Sequence, residues 1–362
     1  MNNFNLDNIT IVVPTYKRHA FLKRLLKYYG GFEIPINILI LDSTPYEPSD
    51  KELKQLLSAD GTIWKKIDPD ITYWDKIAKG SESIQTDYVT LCADDDFIIP
   101  NAIIESMKFL DSHSDYSSAH GLCFGHTSYE RAKQIGFLIF PLYQYGKSSI
   151  HQTASKRVQA YLSGHTGYYP LYAVQRTKTF QIIWNETSRY VSDWNLHELV
   201  ASCLSFCYGK MKILPVLYAS REPNTYAVND YEMFKRTFSQ VKVEKTISGV
   251  AKHLSENDGL LAMEAIAIVE DAFKAYITRA NQIYKDRESS NNQIITRLWI
   301  SIKQSLAIRS RLKAWTHQGC HSSIYPKFFD DFKKIKDAVL SAGLTEKELN
   351  ISRIDFANQG KL

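Results

Sequence analysis

The feature that most constrains the fold is a regular alternation of short apolar runs with helix-patterned segments over the first third of the chain. The runs ITIVV at 9–13 and INILIL at 36–41 are typical of strands buried on both faces of a parallel sheet. Strands are predicted at 9–13, 36–41, 62–67 and 88–92. Helices are predicted at 19–29, 51–58, 74–83 and 101–110. This order indicates an α/β fold with a Rossmann-like, mostly parallel central sheet flanked by helices, and ligands at the carboxyl ends of its strands.

The pattern changes after residue 117, where strand-like runs are separated by glycines and polar loops. These runs are 118–126, 135–140, 168–174 and 212–222, with a helix predicted at 193–208. From about residue 231 helical spacing dominates. We therefore expect one α/β domain at 1–231, whose character changes near 117, and an α-helical C-terminal domain at 232–362.

Composition places the chain among globular proteins, with 44% hydrophobic and 23% charged residues. The net charge of +5 is mild, so we expect no nucleic-acid partner; the excess positive charge is local, since 289–329 contains no acidic residue. The five cysteines form no CxxC pair, which is typical of reduced thiols in the cytoplasm. The N-terminus lacks an apolar signal region, and no run of about 18 apolar residues could span a membrane.

Three consecutive aspartates, Asp94, Asp95 and Asp96, follow the run YVTLC. Carboxylates at the end of an apolar strand repel one another and are costly to desolvate, and a bound cation is one way to offset both. If the segment is extended, Asp94 and Asp96 lie on one side and Asp95 on the other. Such oxygen ligands suit Mg²⁺ or Mn²⁺. The alternative is an acidic turn that caps the helix after Pro100.

Polar motifs at three strand ends occur together in a fixed order, and this set resembles the family 2 glycosyltransferases of the GT-A fold. The motifs are VPTYKR at 13–18, Asp42-Ser43, and the three aspartates at 94–96. The form CADDDF, with the later LYAVQRT and ASRE, is similar to a bacterial subgroup linked to surface-polysaccharide assembly. The resemblance covers roughly 8–225 and implies a nucleotide-binding half at 8–116 and an acceptor half at 117–231.

The resemblance implies a role for each matching residue of the nucleotide-binding half. Pro14, Thr15 and Tyr16 would line the nucleotide pocket, Arg18 would approach the pyrophosphate, and Asp42 would accept a hydrogen bond from the base, expected to be uracil. Either Asp75 or Lys76 stands where the family has a polar nucleotide contact, although the usual Asn is absent. Asp94 would face the ribose and also contribute to the metal site, Asp96 would be the direct metal ligand, and Asp95 would turn away as support for the diphosphate site.

In the acceptor half, the resemblance implies a general base at the start of the helix that precedes Gly209. Glu198 is the first choice and Asp193 the second; alternatively, Glu198 is a helix-face carboxylate in water and Asp193 an N-cap. Arg221 would neutralise a leaving diphosphate or, alternatively, pair at the surface with Glu222. Tyr172 could stack on a sugar ring or fill the core.

The expected activity is a metal-dependent, inverting transfer of a sugar from a nucleotide-sugar, expected to be a UDP-sugar, to a glycan or lipid-linked acceptor. The basic amphipathic segment 294–315 would either contact a membrane surface at its inner face or pack on the rest of the protein. Two alternatives stay open. One is a sugar nucleotidyltransferase, which the missing glycine-rich loop after the first strand disfavours, and the other is a non-catalytic scaffold.

Overall fold

The structure is a computed structural model, and it describes residues 6–32, 35–131, 134–141, 147–165, 170–222, 240–291 and 324–342. The strands are β1 Ile9–Thr15, β2 Asn37–Asp42, β3 Thr62–Lys66, β4 Tyr88–Leu91, β5 Phe97–Ile98, β6 Tyr116–Arg131, β7 Gln134–Pro141, β8 Val174–Arg176 and β9 Lys210–Arg221. The helices are α1 His19–Gly30, α2 Lys51–Leu57, α3 Tyr73–Ser81, α4 Pro100–Ser112, α5 Ala154–Leu162, α6 Thr177–Tyr190, α7 Trp194–Tyr208, α8 Gln240–Asp258, α9 Ala262–Asn291 and α10 Ile324–Ser341.

The described strands form one sheet in the order β3-β2-β1-β4-β8-β6-β9-β5, with β7 paired to β6. β1 runs parallel to β2 and β4, β2 to β3, and β6 to β9. Only β5, β7 and β8 run against their neighbours, so six of the nine strands share one direction. The predicted fold class, a mostly parallel sheet flanked by helices, is confirmed.

Two hydrophobic cores lie on the two faces of the sheet, and β1 contributes alternately to both. Val12 packs with one core, together with residues of α3, α5, α6 and α7. Ile11 and Val13 pack with the other, together with residues of α1, α2, α4 and α10. Successive strand side chains point to opposite faces, so a strand covered on both sides is apolar at most positions. This explains the apolar run of β1, in which Thr10 is a buried exception that hydrogen-bonds Thr86.

The described part of 117–231 contains two helices that the sequence patterns did not predict, α5 and α6. α6 reads TKTFQIIWNETSRY, whose threonines and isoleucines favour strands, yet Phe180, Ile183 and Trp184 form a fully buried helical stripe. The run predicted as a strand at 168–174 is largely wrong, since 170–172 is a 3-10 turn and β8 begins only at Val174. Tertiary packing has overridden local propensity in both places.

The helices α8 and α9 pack against α5, α6 and α7 and share their core. Asp258, at the end of α8, accepts hydrogen bonds from the Ala154 and Ser155 amides at 2.7 and 2.8 Å, which caps α5 from a distant part of the chain. The predicted domain boundary near 232 and the segment 294–315 lie outside the described residues. Among the described helices, none combines the length and apolar character that crossing a bilayer requires.

Candidate active site

A cavity opens at the carboxyl ends of β1, β4 and β9, with further walls from α3 and α7. Nine of the residues predicted for the site line it together: Pro14, Thr15, Tyr16, Arg18, Lys76, Asp94, Asp95, Glu198 and Arg221. Three others, Asp42, Asp96 and Asp193, do not line it. Parallel strands end at the same edge of a sheet, and this convergence brings side chains from distant parts of the sequence together.

The orientation predicted for the three aspartates is wrong. β4 ends at Leu91, and Asp94 and Asp95 form a turn in which the Asp96 amide donates to the Ala93 carbonyl at 3.1 Å. The two-residue alternation of an extended strand therefore does not apply. Asp94 and Asp95 line the cavity, whereas both carboxylate oxygens of Asp96 turn to the end of β9.

Each aspartate is held by specific donors. Thr15 Oγ1 donates to Asp94 at 2.7 Å, and Arg18 contacts Asp94 through Nε at 3.1 Å and Asp95 through Nη2 at 2.6 Å. Asp96 accepts from Arg221 Nε at 2.8 Å and from the amide that follows Arg221 at 2.9 Å. All three aspartates are buried, so the paired cations and hydrogen bonds offset the desolvation of their carboxylates.

The three carboxyl groups titrate differently because their surroundings differ. Burial raises the pKa of Asp94 to about 6 and that of Asp96 to about 7, against the opposing pull of Arg18 and Arg221 respectively. Burial also acts to raise the pKa of Asp95, but the guanidinium groups of Arg18, Arg24 and Arg221 together outweigh it and the pKa lies below its ordinary value. Asp95 therefore carries its negative charge most firmly of the three.

Lys76 is the member of the predicted pair Asp75 or Lys76 that reaches the cavity. Its Nζ donates to Ser43 Oγ at 2.7 Å and to the Thr15 carbonyl at 3.1 Å. Burial lowers the pKa of Lys76 to about 8, although the negative charge of Asp94 opposes this shift. Asp75 instead accepts hydrogen bonds from Thr72 and Ser188 hydroxyls, which fixes α3 against α6.

The opposite wall of the cavity comes from α7, the start of α3 and the end of β9. Glu198 is exposed at the cavity, next to the buried His197, whose ring lies 5.0 Å from that of Tyr73. The Arg221 guanidinium lies 4.6 Å from the centre of the Tyr172 ring. An exposed carboxylate facing buried cations across a cavity is placed where it could take a proton from a bound hydroxyl.

Asp193 and Asp42 lie away from the cavity. The Asp193 carbonyl accepts the Leu196 amide at 3.1 Å, at the first turn of α7. Asp42 is completely buried, next to Thr15 in the sheet register. Burial acts to raise the pKa of Asp42, but hydrogen bonds from His19 and Thr44 outweigh it and hold the pKa below its ordinary value.

The residues present fit a metal that is held jointly with a substrate. Within the described part of the chain, no three acidic, histidine or cysteine side chains converge to form a complete metal cage. Mg²⁺ is commonly bound by one or two carboxylates together with substrate phosphates, and Asp94 and Asp95 supply two carboxylates at the cavity. Asp96 does not line the cavity, and its oxygens accept from Arg221 and a backbone amide at the end of β9.

Two residues that organise the site were not predicted, Arg24 and Glu222. Arg24 is 2% exposed, and its Nη2 donates at 2.8 Å both to the Asp95 carbonyl and to Glu222 Oε2. The bond joins α1 to the aspartate turn and to the end of β9. One sequence feature could have indicated Arg24. It lies three residues after Phe21, so its positive charge falls within the apolar stripe of α1.

Neither a protein-family model nor a curated protein matches the chain significantly. Among solved structures, it is similar to TarS 1–349 from S. aureus in complex with UDP-GlcNAc, with a TM-score of 0.49, 11% identity and coverage of 75% of this chain and 73% of that one. It is also similar to the mannosyltransferase PcManGT from Pyrobaculum calidifontis in complex with GDP-Man and Mn²⁺, with a TM-score of 0.43, 9% identity and coverage of 85% and 87%. Both TM-scores lie below 0.5.

Proposed function

We propose that the protein is a glycosyltransferase that moves a sugar from a nucleotide-sugar, expected to be a UDP-sugar, to a glycan or lipid-linked acceptor in surface-polysaccharide assembly. One observation carries the proposal: a single cavity holds three cationic side chains, two buried aspartates and, on another wall, an exposed glutamate. The cations are Arg18, Lys76 and Arg221, and the glutamate is Glu198. Cationic side chains of this kind bind a diphosphate, and a carboxylate such as the glutamate can take the proton from an acceptor hydroxyl.

The donor would bind with its diphosphate between Arg18 and Arg221 and its nucleoside along Pro14, Thr15 and Tyr16. Arg18 and Arg221 are already held in place by aspartates, so little side-chain entropy is lost when a phosphate binds. Asp95 and Asp94 would hold a divalent cation, Mg²⁺ or Mn²⁺, which when bound would neutralise charge on the diphosphate.

We assign the role of general base to Glu198 and propose an inverting displacement. The acceptor hydroxyl gives its proton to Glu198 as its oxygen forms a bond to the anomeric carbon. The bond from that carbon to the diphosphate oxygen breaks, and its electron pair leaves on the nucleoside diphosphate, whose charge Arg221 stabilises. Access favours Glu198, since it is exposed at the cavity and Asp193 does not line it.

The direct test is to incubate the protein with Mn²⁺ and a panel of nucleotide-sugars, including UDP-GlcNAc and GDP-mannose, and to measure nucleoside diphosphate release with and without candidate acceptors. We expect one donor to be turned over, and Glu198→Gln to bind that donor with turnover lowered about 10²- to 10⁴-fold. Absence of nucleotide binding, with or without metal, would contradict the proposal.

The assay, extended to nucleoside triphosphates with sugar phosphates and to pyrophosphate release, separates the alternatives. A sugar nucleotidyltransferase would release pyrophosphate from a nucleoside triphosphate and a sugar phosphate. A non-catalytic scaffold would bind a nucleotide-sugar and release nothing with any acceptor. In a sugar nucleotidyltransferase we would expect a glycine-rich phosphate loop directly after the first strand. This chain has PTYKR there, which contains no glycine.

A further inference from the structure

The turn that connects β1 to α1 has a left-handed backbone at Lys17. Its φ is 55°, and within the described part of the chain every other residue with a positive φ is a glycine. This region is costly for L-residues because Cβ comes close to the following carbonyl oxygen, and apart from glycine only asparagine and aspartate adopt it with any frequency. Such a conformation persists only where surrounding contacts hold it.

The turn after β2 holds the backbone of Lys17. The Lys17 amide donates to Thr44 Oγ1 at 2.8 Å, and the Ser43 amide donates to the Thr15 carbonyl at 3.2 Å. Thr44 is completely buried, and its own amide donates to Asp42 Oδ1 at 2.8 Å. The buried Asp42 carboxylate therefore fixes Thr44, and the Thr44 hydroxyl fixes the backbone of Lys17.

This backbone conformation sets the direction of the next residue, Arg18. Only three residues lie between the end of β1 and the start of α1, and the chain must change direction within them. Arg18 leaves this turn towards the cavity, where its guanidinium contacts Asp94 at 3.1 Å and Asp95 at 2.6 Å. A left-handed residue changes the chain direction in a single step, so the position of Arg18 depends on the φ of Lys17.

The ammonium group of Lys17 takes a different course from the Arg18 guanidinium. Lys17 Nζ lies 5.0 Å from the centre of the Tyr16 ring, and Lys17 is not among the residues that line the cavity, whereas Tyr16 and Arg18 on either side of it are. The part of Lys17 that bears on the site is therefore its backbone.

We propose that Lys17 is a positioning residue whose left-handed backbone, held by the Thr44 hydroxyl, directs the Arg18 guanidinium to the diphosphate of the donor. The inference rests on the proposed function, since it concerns how that site keeps Arg18 in its binding position. Residues that accept a left-handed backbone preserve diphosphate binding at position 17, and a β-branched residue, for which this region is an outlier, does not.

Three substitutions at position 17 separate the backbone from the charge, because all three remove the ammonium group. Lys17→Gly and Lys17→Asn accept a positive φ, whereas the β-branched side chain of Lys17→Val disfavours it. Two further substitutions test the bond that holds the turn. Thr44→Val removes the acceptor of the Lys17 amide at nearly the same size, and Thr44→Ser keeps that acceptor.

The experiment is calorimetric titration of the full chain and these variants with UDP and uridine in the presence of Mn²⁺, or with GDP and guanosine if the donor panel selects a GDP-sugar. We expect Lys17→Val and Thr44→Val to weaken diphosphate binding about tenfold, because fewer molecules have the binding-competent turn. Lys17→Gly, Lys17→Asn and Thr44→Ser should bind the diphosphate like wild type. Binding of the nucleoside, which does not use Arg18, should be unchanged throughout.

A double-mutant cycle tests whether Lys17 acts through Arg18. In the Arg18→Gln background, Lys17→Val should cause no further loss of diphosphate affinity, because the group that it positions is already absent. Thermal unfolding checks that each variant is folded. If Lys17→Val does not fold, the comparison of Thr44→Val with Thr44→Ser decides the question.

The failures of this inference and of the proposed function are distinguishable. If wild type binds the diphosphate and all three variants at position 17 lose affinity equally, the ammonium group is responsible and this inference alone falls. Unchanged affinity in Lys17→Val and Thr44→Val, or an equal loss for the nucleoside, overturns it as well. If wild type binds no nucleoside diphosphate at all, the proposed function also falls.

Discussion

Asp95 and Asp96 are adjacent in sequence but serve different partners, and the difference can be tested at the level of single residues. Asp95 lines the cavity and pairs with Arg18, while Asp96 accepts from Arg221 and a backbone amide. We expect Asp95→Asn to weaken Mn²⁺-dependent UDP binding about 10- to 100-fold. Asp96→Asn should keep that dependence and lower turnover, because Arg221 loses the carboxylate that positions it.

Titration calorimetry with UDP, with and without Mn²⁺, measures the first effect, and steady-state turnover measures the second. The opposite result, in which Asp96→Asn abolishes the effect of metal and Asp95→Asn preserves it, would restore the metal role that the sequence alone assigns to Asp96.

Glu198 and Asp193 differ in access to the cavity, which predicts different kinetic effects. Loss of a general base costs about 10²- to 10⁴-fold in rate, so Glu198→Gln should lower kcat by that factor and leave the UDP affinity unchanged. Asp193→Asn is the matched control and should keep kcat near wild type. The measurement is acceptor-dependent turnover under saturating donor. A large loss of kcat in Asp193→Asn, with none in Glu198→Gln, would make Asp193 the general base instead.

The composition of the site could be predicted from the sequence better than its orientation. Motif order placed Thr15, Arg18 and Asp94 at converging strand ends, because the direction of parallel strands alone decides that convergence. The opposite orientations of Asp95 and Asp96 depend on a turn after Leu91, and the hydrophobic periodicity of the sequence does not predict that turn. The contacts of Asp42 with Trp64 and His19 depend on these residues meeting it in three dimensions.

At the scale of elements, Arg24 links three parts of the chain through buried hydrogen bonds. It lies on α1 and donates to Glu222 after β9 and to the backbone of the aspartate turn. Arg24→Met leaves the Glu222 carboxylate buried without this cation, and removing one partner of a buried pair costs about 3–5 kcal/mol. The matched control is Lys23→Met on the same helix, since Lys23 pairs with exposed carboxylates of Asp50 and Glu52.

Urea unfolding at neutral pH measures both variants, and only Arg24→Met should shift the midpoint strongly. The double variant Arg24→Met with Glu222→Gln removes the unpaired charge and should recover part of the loss. No recovery would mean that packing of Arg24 against Phe21 and Phe97 carries its contribution.

Asp258 ties α8 to α5 through a charged cap, which predicts a pH-dependent stability. Burial acts to raise the pKa of Asp258, but the Ser155 and Ala154 amides outweigh it and hold the pKa below 3.8. A group whose pKa is lower in the folded state stabilises the fold above its unfolded pKa and loses that contribution as pH falls through the folded pKa.

We therefore expect Asp258→Ala to cost about 1 kcal/mol of unfolding free energy at pH 7, and the difference from wild type to shrink below about pH 4. Denaturant unfolding across this pH range is the measurement. Asp271→Ala, on the exposed face of α9, is the control and should show no such trend. A difference that is the same at pH 7 and pH 3 would contradict the role of the carboxylate charge.

At the scale of the whole molecule, the helices that follow the sheet domain in sequence complete its core. Val250, Leu254, Val269 and Phe273 are at most 1% exposed and belong to the same hydrophobic cluster as Phe206 of α7. A separate domain at 232–362 is predicted because the sequence pattern becomes purely helical there. Such a change of pattern does not indicate whether the two segments share a hydrophobic core. Amphipathic helices bury their apolar face against whatever neighbour the fold supplies.

This shared core predicts that the segment 1–231 does not fold alone. Removing α8 and α9 exposes the apolar faces of α5, α6 and α7, and each fully buried Val, Leu or Phe contributes about 1.5–3 kcal/mol through burial. Against a total stability of about 5–15 kcal/mol, the loss of the four residues in α8 and α9 alone is decisive. A chain ending at residue 342 keeps every described helix and serves as the control. Circular dichroism and size-exclusion chromatography should show that the control is folded and that 1–231 aggregates or unfolds without cooperativity. If 1–231 is soluble and melts cooperatively near the melting temperature of the control, the two segments are independent domains.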